Sequence, residues 1–338
     1  MTTNHIVSAS RIALFSLEDG NPLLVRICKR LGIKPGRHEE RQFEDGEHKI
    51  RPLEEVRGRD VYVVQSIHGS GSLSVNDRLI RTLFFLGALR DAGAARLTAV
   101  IPYLCYARKD MRTKARDPLS QRYVAGLFES VGVDRMVVMD VHNRAAYQNA
   151  FRVPAEHLTA AHEFAGVLEP QVGRQELVVV SPDVGGVKRA ERFRQILEER
   201  LGREVGSAFV EKYRSEGVIR GGTLVGEVKG RVAIIVDDLI SSGGTLVRAA
   251  EACLDSGAEK AFAVATHGVF SEGAGEVLGD SALERVVVMD TIAPDHVDGR
   301  AVESWLEVVD CAPLLAGAIR ALHAGESTVG FSDVIEPQ

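Results

Sequence analysis

Short runs of apolar, mostly β-branched residues recur along the chain, separated by longer mixed stretches that close on glycine. D-V-Y-V-V-Q at Asp60–Gln65, L-T-A-V-I-P at Leu97–Pro102 and R-M-V-V-M-D at Arg135–Asp140 are such runs. Leu177–Val180, Val205–Val210, Val232–Val236, Ala261–Thr266 and Arg285–Asp290 continue the series. Runs of this length without polar alternation predict strands buried on both faces, and the intervening stretches predict helices. Strands alternating with helices imply parallel βαβ sheets.

The pattern repeats. Val232–Val236 leads to a helix ending L-D-S-G-A and then to Ala261–Thr266. Asp60–Gln65 leads to a helix ending L-R-D-A-G-A and then to Leu97–Pro102. R-M-V-V-M-D is echoed by R-V-V-V-M-D at Arg285–Asp290. This predicts two similar α/β domains in tandem. The expected boundaries are 1–161 and 162–311, with 312–338 packing back on the first domain. The copies differ in two places. The interval from Asp91 to Arg135 is longer than that from Asp255 to Arg285, and the extra residues fall at the basic stretch Tyr106–Asp117. The first copy also has Gln65-Ser66 where the second has Asp237-Asp238.

The second copy carries the strongest chemical signal. Its strand Val232–Val236 ends in the paired carboxylates Asp237 and Asp238. The turn Ser241-Ser242-Gly243-Gly244-Thr245 and a helix Leu246–Asp255, stopped by Gly257, follow. Such a turn offers backbone N–H groups, hydroxyls and a helix N-terminus to a phosphate. Carboxylates nearby accept hydrogen bonds from sugar hydroxyls. A plain strand-to-helix turn would use an Asp and a Ser merely as caps. Paired acids at the carboxyl end of a strand, where α/β sheets bind ligands, favour a sugar-phosphate site.

Composition narrows the class. The 338 residues are 45% hydrophobic and 26% charged, which fits a globular protein long enough for two domains. A formal charge of −6 argues against broad nucleic-acid binding. No apolar run reaches membrane-spanning length, so no membrane association is expected. The start M-T-T-N-H-I-V-S lacks a charged region followed by an apolar one, and a cytoplasmic location is expected. Cys28, Cys105, Cys253 and Cys311 are scattered among apolar segments and are read as buried free thiols.

The D-D-L-I-S-S-G-G-T stretch resembles the loop that binds phosphoribosyl diphosphate (PRPP) in phosphoribosyltransferases and ribose-phosphate pyrophosphokinases. Further motifs, in order, resemble the second family: F-E-D-G-E at Phe43–Glu47, Y-A-R-K-D at Tyr106–Asp110, D-V-H-N at Asp140–Asn143, S-P-D-V-G-G at Ser181–Gly186 and K-Y-R at Lys212–Arg214. The resemblance runs from about Phe43 to Glu326. It implies two tandem phosphoribosyltransferase-like domains, each a mainly parallel sheet flanked by helices. It further implies that Phe43, Asp45, Gly46, Glu47, Arg108 and Lys109 contact ATP, although the family usually has Gln where Lys109 stands. Asp237, Asp238, Ser241, Ser242, Gly243, Gly244, Thr245 and Arg214 are implied to bind ribose 5-phosphate. His142 and Asp183 are implied to help hold Mg²⁺, and Lys212 and Arg214, on a mobile loop, to act in catalysis. Alternation puts those two cations on one face of an extended segment.

The implied reaction is Mg²⁺-dependent transfer of the β,γ-pyrophosphoryl group of ATP to the 1-hydroxyl of ribose 5-phosphate, giving PRPP and AMP for nucleotide biosynthesis. The implied assembly is a homo-oligomer of dimers joined into a hexamer. Two alternatives stand beside it: a phosphoribosyltransferase that consumes PRPP, and a non-catalytic subunit associated with a synthetase. G-E-S-T-V-G-F at Gly325–Phe331 resembles the family's effector segment, but Val329 replaces a serine, which leads us to expect weak activation by phosphate.

Overall fold

A computed structural model of the chain describes residues 12–18, 20–71, 73–215, 218–295, 297 and 302–332, with no description of the side chains of 212–222. It resolves into two compact units. One runs to Thr159 and takes up the chain again from Cys311; the other is Ala160–Asp310.

The first unit contains β1 (Ile12–Phe15), α1 (Pro22–Leu31), β2 (His38–Gln42), β3 (His48–Pro52), β4 (Asp60–Val64) and α2 (Val75–Asp91). It continues through β5 (Arg96–Ile101), α3 (Ser120–Ser130), β6 (Arg135–Met139), α4 (Arg144–Ala150) and β7 (Ala155–Leu158). Five strands lie parallel in the order β1-β4-β5-β6-β7, while β2 and β3 form a separate antiparallel hairpin. Every residue of β1 and β4 is buried. That is why these strands read as unbroken apolar runs: helices cover both faces of the sheet. Local chemistry sets the helix ends. The Asn21 side chain accepts from Leu24 N at 3.0 Å, Pro22 opens α1, and Gly32 closes it at φ +71°. Ser74 and Asp77 cap each other at the start of α2.

The second unit repeats this order: α5 (Ala161–Val172), β8 (Leu177–Ser181), α6 (Val187–Leu201), β9 (Gly206–Ser215), β10 (Val218–Val225), β11 (Val232–Ile240), α7 (Gly244–Asp255), β12 (Lys260–Gly268), α8 (Ala274–Gly279), β13 (Arg285–Met289), α9 (Val302–Trp305) and β14 (Leu306–Val309). Its sheet runs β10-β9-β8-β11-β12-β13-β14, with only the β10–β9 pair antiparallel. Here the hairpin joins the sheet edge instead of standing apart. After β8 the chain builds outward through β9 and β10, then returns to place β11 on the other side of β8. The gap between β8 and β11 is therefore a topological switch point, where the loops leaving the two strands diverge and leave a crevice. The first unit builds in one direction only from β1 and has no such reversal.

The last helix, α10 (Ala312–Ala324), belongs to the first unit. Arg320 Nη2 donates to Arg30 O at 3.0 Å at the end of α1, and His323 Nδ1 lies 2.6 Å from Asp60 Oδ2 on β4. Thr159 N donates to Phe331 O at 3.0 Å. In the Gly325–Phe331 segment, Thr328 Oγ1 donates to Glu156 Oε2 at 2.8 Å, and Val329–Phe331 forms a 3₁₀ turn.

Two elements differ from their sequence reading. Strand β11 does not stop at Val236 but pairs with β12 through Asp237↔Ala265, Leu239↔His267 and Ile240↔Gly268, so both acids lie within the strand's last turns of pleat. The segment after Val210, read as a loop, continues as the antiparallel pair β9–β10 up to Ser215↔Val218. The β-forming residues Val210, Tyr213, Val218 and Ile219 supply the propensity for that extension.

Candidate active site

The switch point of the second unit gathers two loops. From β8 comes Ser181-Pro182-Asp183, followed by the 3₁₀ turn Val184–Gly186 that runs into α6. Ser181 is fully buried, and its Oγ donates to Asp183 O at 2.6 Å, while Asp183 Oδ1 accepts from Gly186 N at 3.1 Å. From β11 comes the turn Ser241-Ser242-Gly243 into α7. Gly243 has φ +78°, and a Cβ there would fall 2.7 Å from Leu278 Cγ, so both conformation and space require glycine. Helix α7 starts without a side-chain cap. Its first N–H groups and the hydroxyls of Ser241, Ser242 and Thr245 share one short turn, which suits an anion. The turn is held from behind, because Phe270 N and Ser271 N donate to Ile240 O and Ser241 O, each at 3.0 Å.

Beside this turn the two acids share a cation that was not expected from the sequence. Arg189, in the first turn of α6, sets Nη1 2.8 Å from Asp237 Oδ1 and Nη2 2.7 Å from Asp238 Oδ1. Asp238 N also donates to Asp237 Oδ1 at 2.9 Å. The Asp238 side chain is only 3% exposed. Burial, and then the Asp238 charge, push the Asp237 carboxyl up to about 7, while Arg189 pulls it down. A buried acid next to a part-buried one demands a cation. The cue in the sequence was an Arg just past the S-P-D-V-G-G turn; what was missing was that β8 and β11 are neighbours.

The equivalent position in the first unit has been put to structural use. Gln65 is buried, accepting from Ser16 Oγ at 3.1 Å and Leu17 N at 3.2 Å and donating to Ser66 O at 3.1 Å. Its polar atoms are committed to holding β1 against β4. The first unit instead exposes two loops rich in charge. Phe43–Glu47 joins β2 to β3. Phe43 N donates to Glu47 O at 2.8 Å, Glu47 N to Asp45 Oδ1 at 3.0 Å, and Gly46 takes φ +89°. The Arg41 guanidinium stacks 5.1 Å from the centre of the half-exposed Phe43 ring. Phe43, Asp45, Gly46 and Glu47 are thus all presented outward on one tight turn.

The second loop is Tyr106–Asp117. Arg108 is exposed, while the Lys109 ammonium sits 2.6 Å from Asp117 Oδ2. Asp110 Oδ2 accepts from Asn143 Nδ2 at 2.7 Å, which ties this loop to Asp140–Asn143 at the end of β6, where His142 is exposed. Four described non-glycine residues have positive φ, and three of them, Tyr106, Arg116 and Asp140, lie in these two connected loops. Backbone held in that region costs free energy and persists where the surroundings enforce it, often at functional sites.

Lys212 and Arg214 lie on β9, with their backbones opposite Gly222 and Ile219; their side chains are outside the described residues. No group of three or more His, Cys, Asp or Glu able to hold a metal occurs among the described residues. The Asp183 carboxylate is the kind of group Mg²⁺ takes, since that ion binds through one or two carboxylates together with substrate phosphates and water; the exposed His142 lies in the other unit. All four cysteines are free and buried. No helix among the described residues is long and apolar enough to cross a membrane.

Tandem phosphoribosyltransferase-like units, one with an anion turn beside paired acids, define an α/β transferase. A family model described as the N-terminal domain of ribose phosphate pyrophosphokinase matches residues 12–132, and one described as phosphoribosyl synthetase-associated domain matches 220–331. The chain is 40% identical over 312 residues to a ribose-phosphate pyrophosphokinase of Caldanaerobacter subterraneus subsp. tengcongensis, covering 91% of this chain and 94% of that protein. It is 38% identical to a ribose-phosphate pyrophosphokinase of Hyphomonas neptunium, covering 95% and 99% of the respective chains. The crystal structure of a phosphoribosylpyrophosphate synthetase from Mycobacterium smegmatis superposes with a TM-score of 0.83 at 33% identity, covering 93% of this chain and 99% of that one. The chain belongs to the ribose-phosphate pyrophosphokinase family of enzymes.

Proposed function

We propose that the protein transfers the β,γ-pyrophosphoryl group of ATP to the 1-hydroxyl of ribose 5-phosphate, forming PRPP and AMP. The observation that carries this reading is the switch-point site of the second unit, where an uncapped helix start lies beside Asp237 and Asp238. Ser241, Ser242, Gly243, Gly244 and Thr245 take the 5-phosphate, and Asp237 and Asp238 accept from the ribose hydroxyls. In the first unit, the turn Phe43–Glu47 supplies an aromatic face and carboxylates for the adenine, and Arg108 supplies charge for the phosphates.

The 1-oxygen attacks the β-phosphorus and loses its proton; the bond from the β-phosphorus to the oxygen shared with the α-phosphorus breaks, and AMP leaves. No side chain needs to form a covalent intermediate, so catalysis is positioning and charge neutralisation. Lys212 and Arg214 offset charge arriving on the bridging oxygen. Mg²⁺, held with help from His142 and Asp183, supplies further neutralisation of the phosphate oxygens when bound. The assembly expected with this function is a homo-oligomer of dimers built into a hexamer.

The test is AMP formation by the purified chain alone from ATP and ribose 5-phosphate with Mg²⁺ and no nucleobase. A phosphoribosyltransferase would form no AMP under these conditions. A non-catalytic synthetase-associated subunit, which the second family description brings to mind, would also be silent. Silence from a folded chain would therefore end this reading.

A further inference from the structure

We propose that Asp117 is a positioning residue for the nucleotide phosphates: it holds the Tyr106–Asp117 loop in the shape that turns Arg108, Lys114 and Arg116 outward, and Lys109 serves it as an internal counter-ion. The inference rests on the reading above that this loop meets ATP.

One oxygen organises the loop. Asp117 Oδ2 accepts from Lys109 Nζ at 2.6 Å, Thr113 Oγ1 at 2.8 Å, Lys114 N at 2.9 Å and Thr113 N at 3.0 Å. The backbone of Asp117 closes the same turn, with its N donating to Lys114 O at 3.2 Å and its O accepting from Arg112 Nε at 3.2 Å. Lys109 O in turn accepts from Gln121 N at 3.4 Å in the first turn of α3, so the loop is tied to a helix at its near end. The residue before Asp117, Arg116, is held at φ +69°, a conformation a bulky side chain adopts only when its neighbours enforce it. Bonds from Lys109, foremost, and from Thr113 and Lys114 hold the Asp117 carboxyl well below the usual carboxylate range.

Charge explains why such a centre is needed. Arg108, Lys109, Arg112, Lys114 and Arg116 crowd one short exposed stretch, and like charges this close repel. Asp117 neutralises Lys109 and fixes Arg112 through its carbonyl. Among the described residues Arg108, Lys114 and Arg116 engage no carboxylate and remain exposed, as an anion site requires. The ammonium of Lys109, bound to Asp117, acts on the nucleotide through the loop's shape.

The experiment uses the full chain, with ATP binding followed by calorimetry and the Michaelis constants of both substrates measured in the AMP assay. Asp117→Ala should raise the ATP Kd and KM by about tenfold or more, as expected for losing a set of charge-assisted bonds. The kcat and the ribose 5-phosphate KM should stay near those of the parent. Asp117→Asn should act in the same direction, and Asp117→Glu should restore part of the affinity. Lys109→Gln should weaken ATP binding in the parent and add nothing in the Asp117→Ala background, because the two residues act as one unit. The proposal is overturned if Asp117→Ala binds ATP like the parent, or if Lys109→Gln has equal effects in both backgrounds, which would make Lys109 a direct ligand. It is also overturned if kcat drops and both KM values rise together, as general loosening of the fold would cause. A parent chain that neither binds ATP nor forms AMP would instead remove the functional reading on which the proposal stands.

Discussion

Removing the cation between the two acids tests the site where its energetics are sharpest. In Arg189→Met the stem of the side chain is kept and the fork on Asp237 and Asp238 is lost. The contacts are 2.8 and 2.7 Å, with the side chains of Arg189, Asp237 and Asp238 22%, 21% and 3% exposed. Breaking a fully buried pair costs roughly 3–5 kcal/mol, and partial exposure of Arg189 and Asp237 lowers the expectation here to about 2–4 kcal/mol. The loss should depend on pH. Burial and the Asp238 charge raise the Asp237 carboxyl to about 7, against about 4 for an unfolded aspartate. Between those values the folded state holds a proton that the unfolded state releases. The associated stability is present below the unfolded value and is lost as pH rises through the folded one. Arg189 pulls the folded value down, so its removal raises that value further. The deficit of Arg189→Met relative to the parent should therefore be largest near pH 8 and shrink toward pH 5, where the acid pair takes up its proton. Urea unfolding of both proteins across that range measures it, with Arg189→Lys as a control that keeps the charge without the fork. Equal midpoints at pH 8, or a deficit that does not change with pH, would show that Arg189 does not support the acids.

Three further outcomes are expected. Lys212→Ala should lower kcat by roughly a hundredfold, as for loss of one preorganised donor, with smaller changes in either KM; a folded variant with near-parental kcat would remove Lys212 from the mechanism. Gly243→Ala places a Cβ 2.7 Å from Leu278 Cγ at φ +78°, should cost about 1–3 kcal/mol of stability, and should raise the ribose 5-phosphate KM; a variant unchanged in both melting and KM would contradict the proposed turn. Burial pushes the thiols of Cys28, Cys105 and Cys253 up to about 12, so iodoacetamide at pH 8 should label them slowly until urea unfolds the chain, and rapid labelling of native Cys253 would be inconsistent with its place on the buried face of α7.

The sequence by itself determined the features that depend on near neighbours. The apolar runs marked the buried parallel strands because both faces of each sheet are covered. The turn after β11 was legible because its shape needs only a strand end, glycines and a helix start, all within a few residues. The duplication was legible because each copy repeats the same local order. Tertiary structure decided the rest. Arg189 became the partner of Asp237 and Asp238 because β8 and β11 lie side by side across the switch point, and strand order is not written in spacing. The length of β11 was set by its ladder with β12, which carries pairing past the apolar run to Ile240. Gln65 turned from the counterpart of an acid pair into a bridge because Ser16 and Leu17, just past the adjoining β1, lie beside it. Lys109, which the resemblance implied to contact ATP, meets Asp117 because the turn brings that acid back to it. Periodicity and turn chemistry act through bonds to nearby residues and so can be read in order along the chain. The pairing of charges and polar groups depends on which distant segments the packed sheets bring within hydrogen-bond reach, and packing alone decides that.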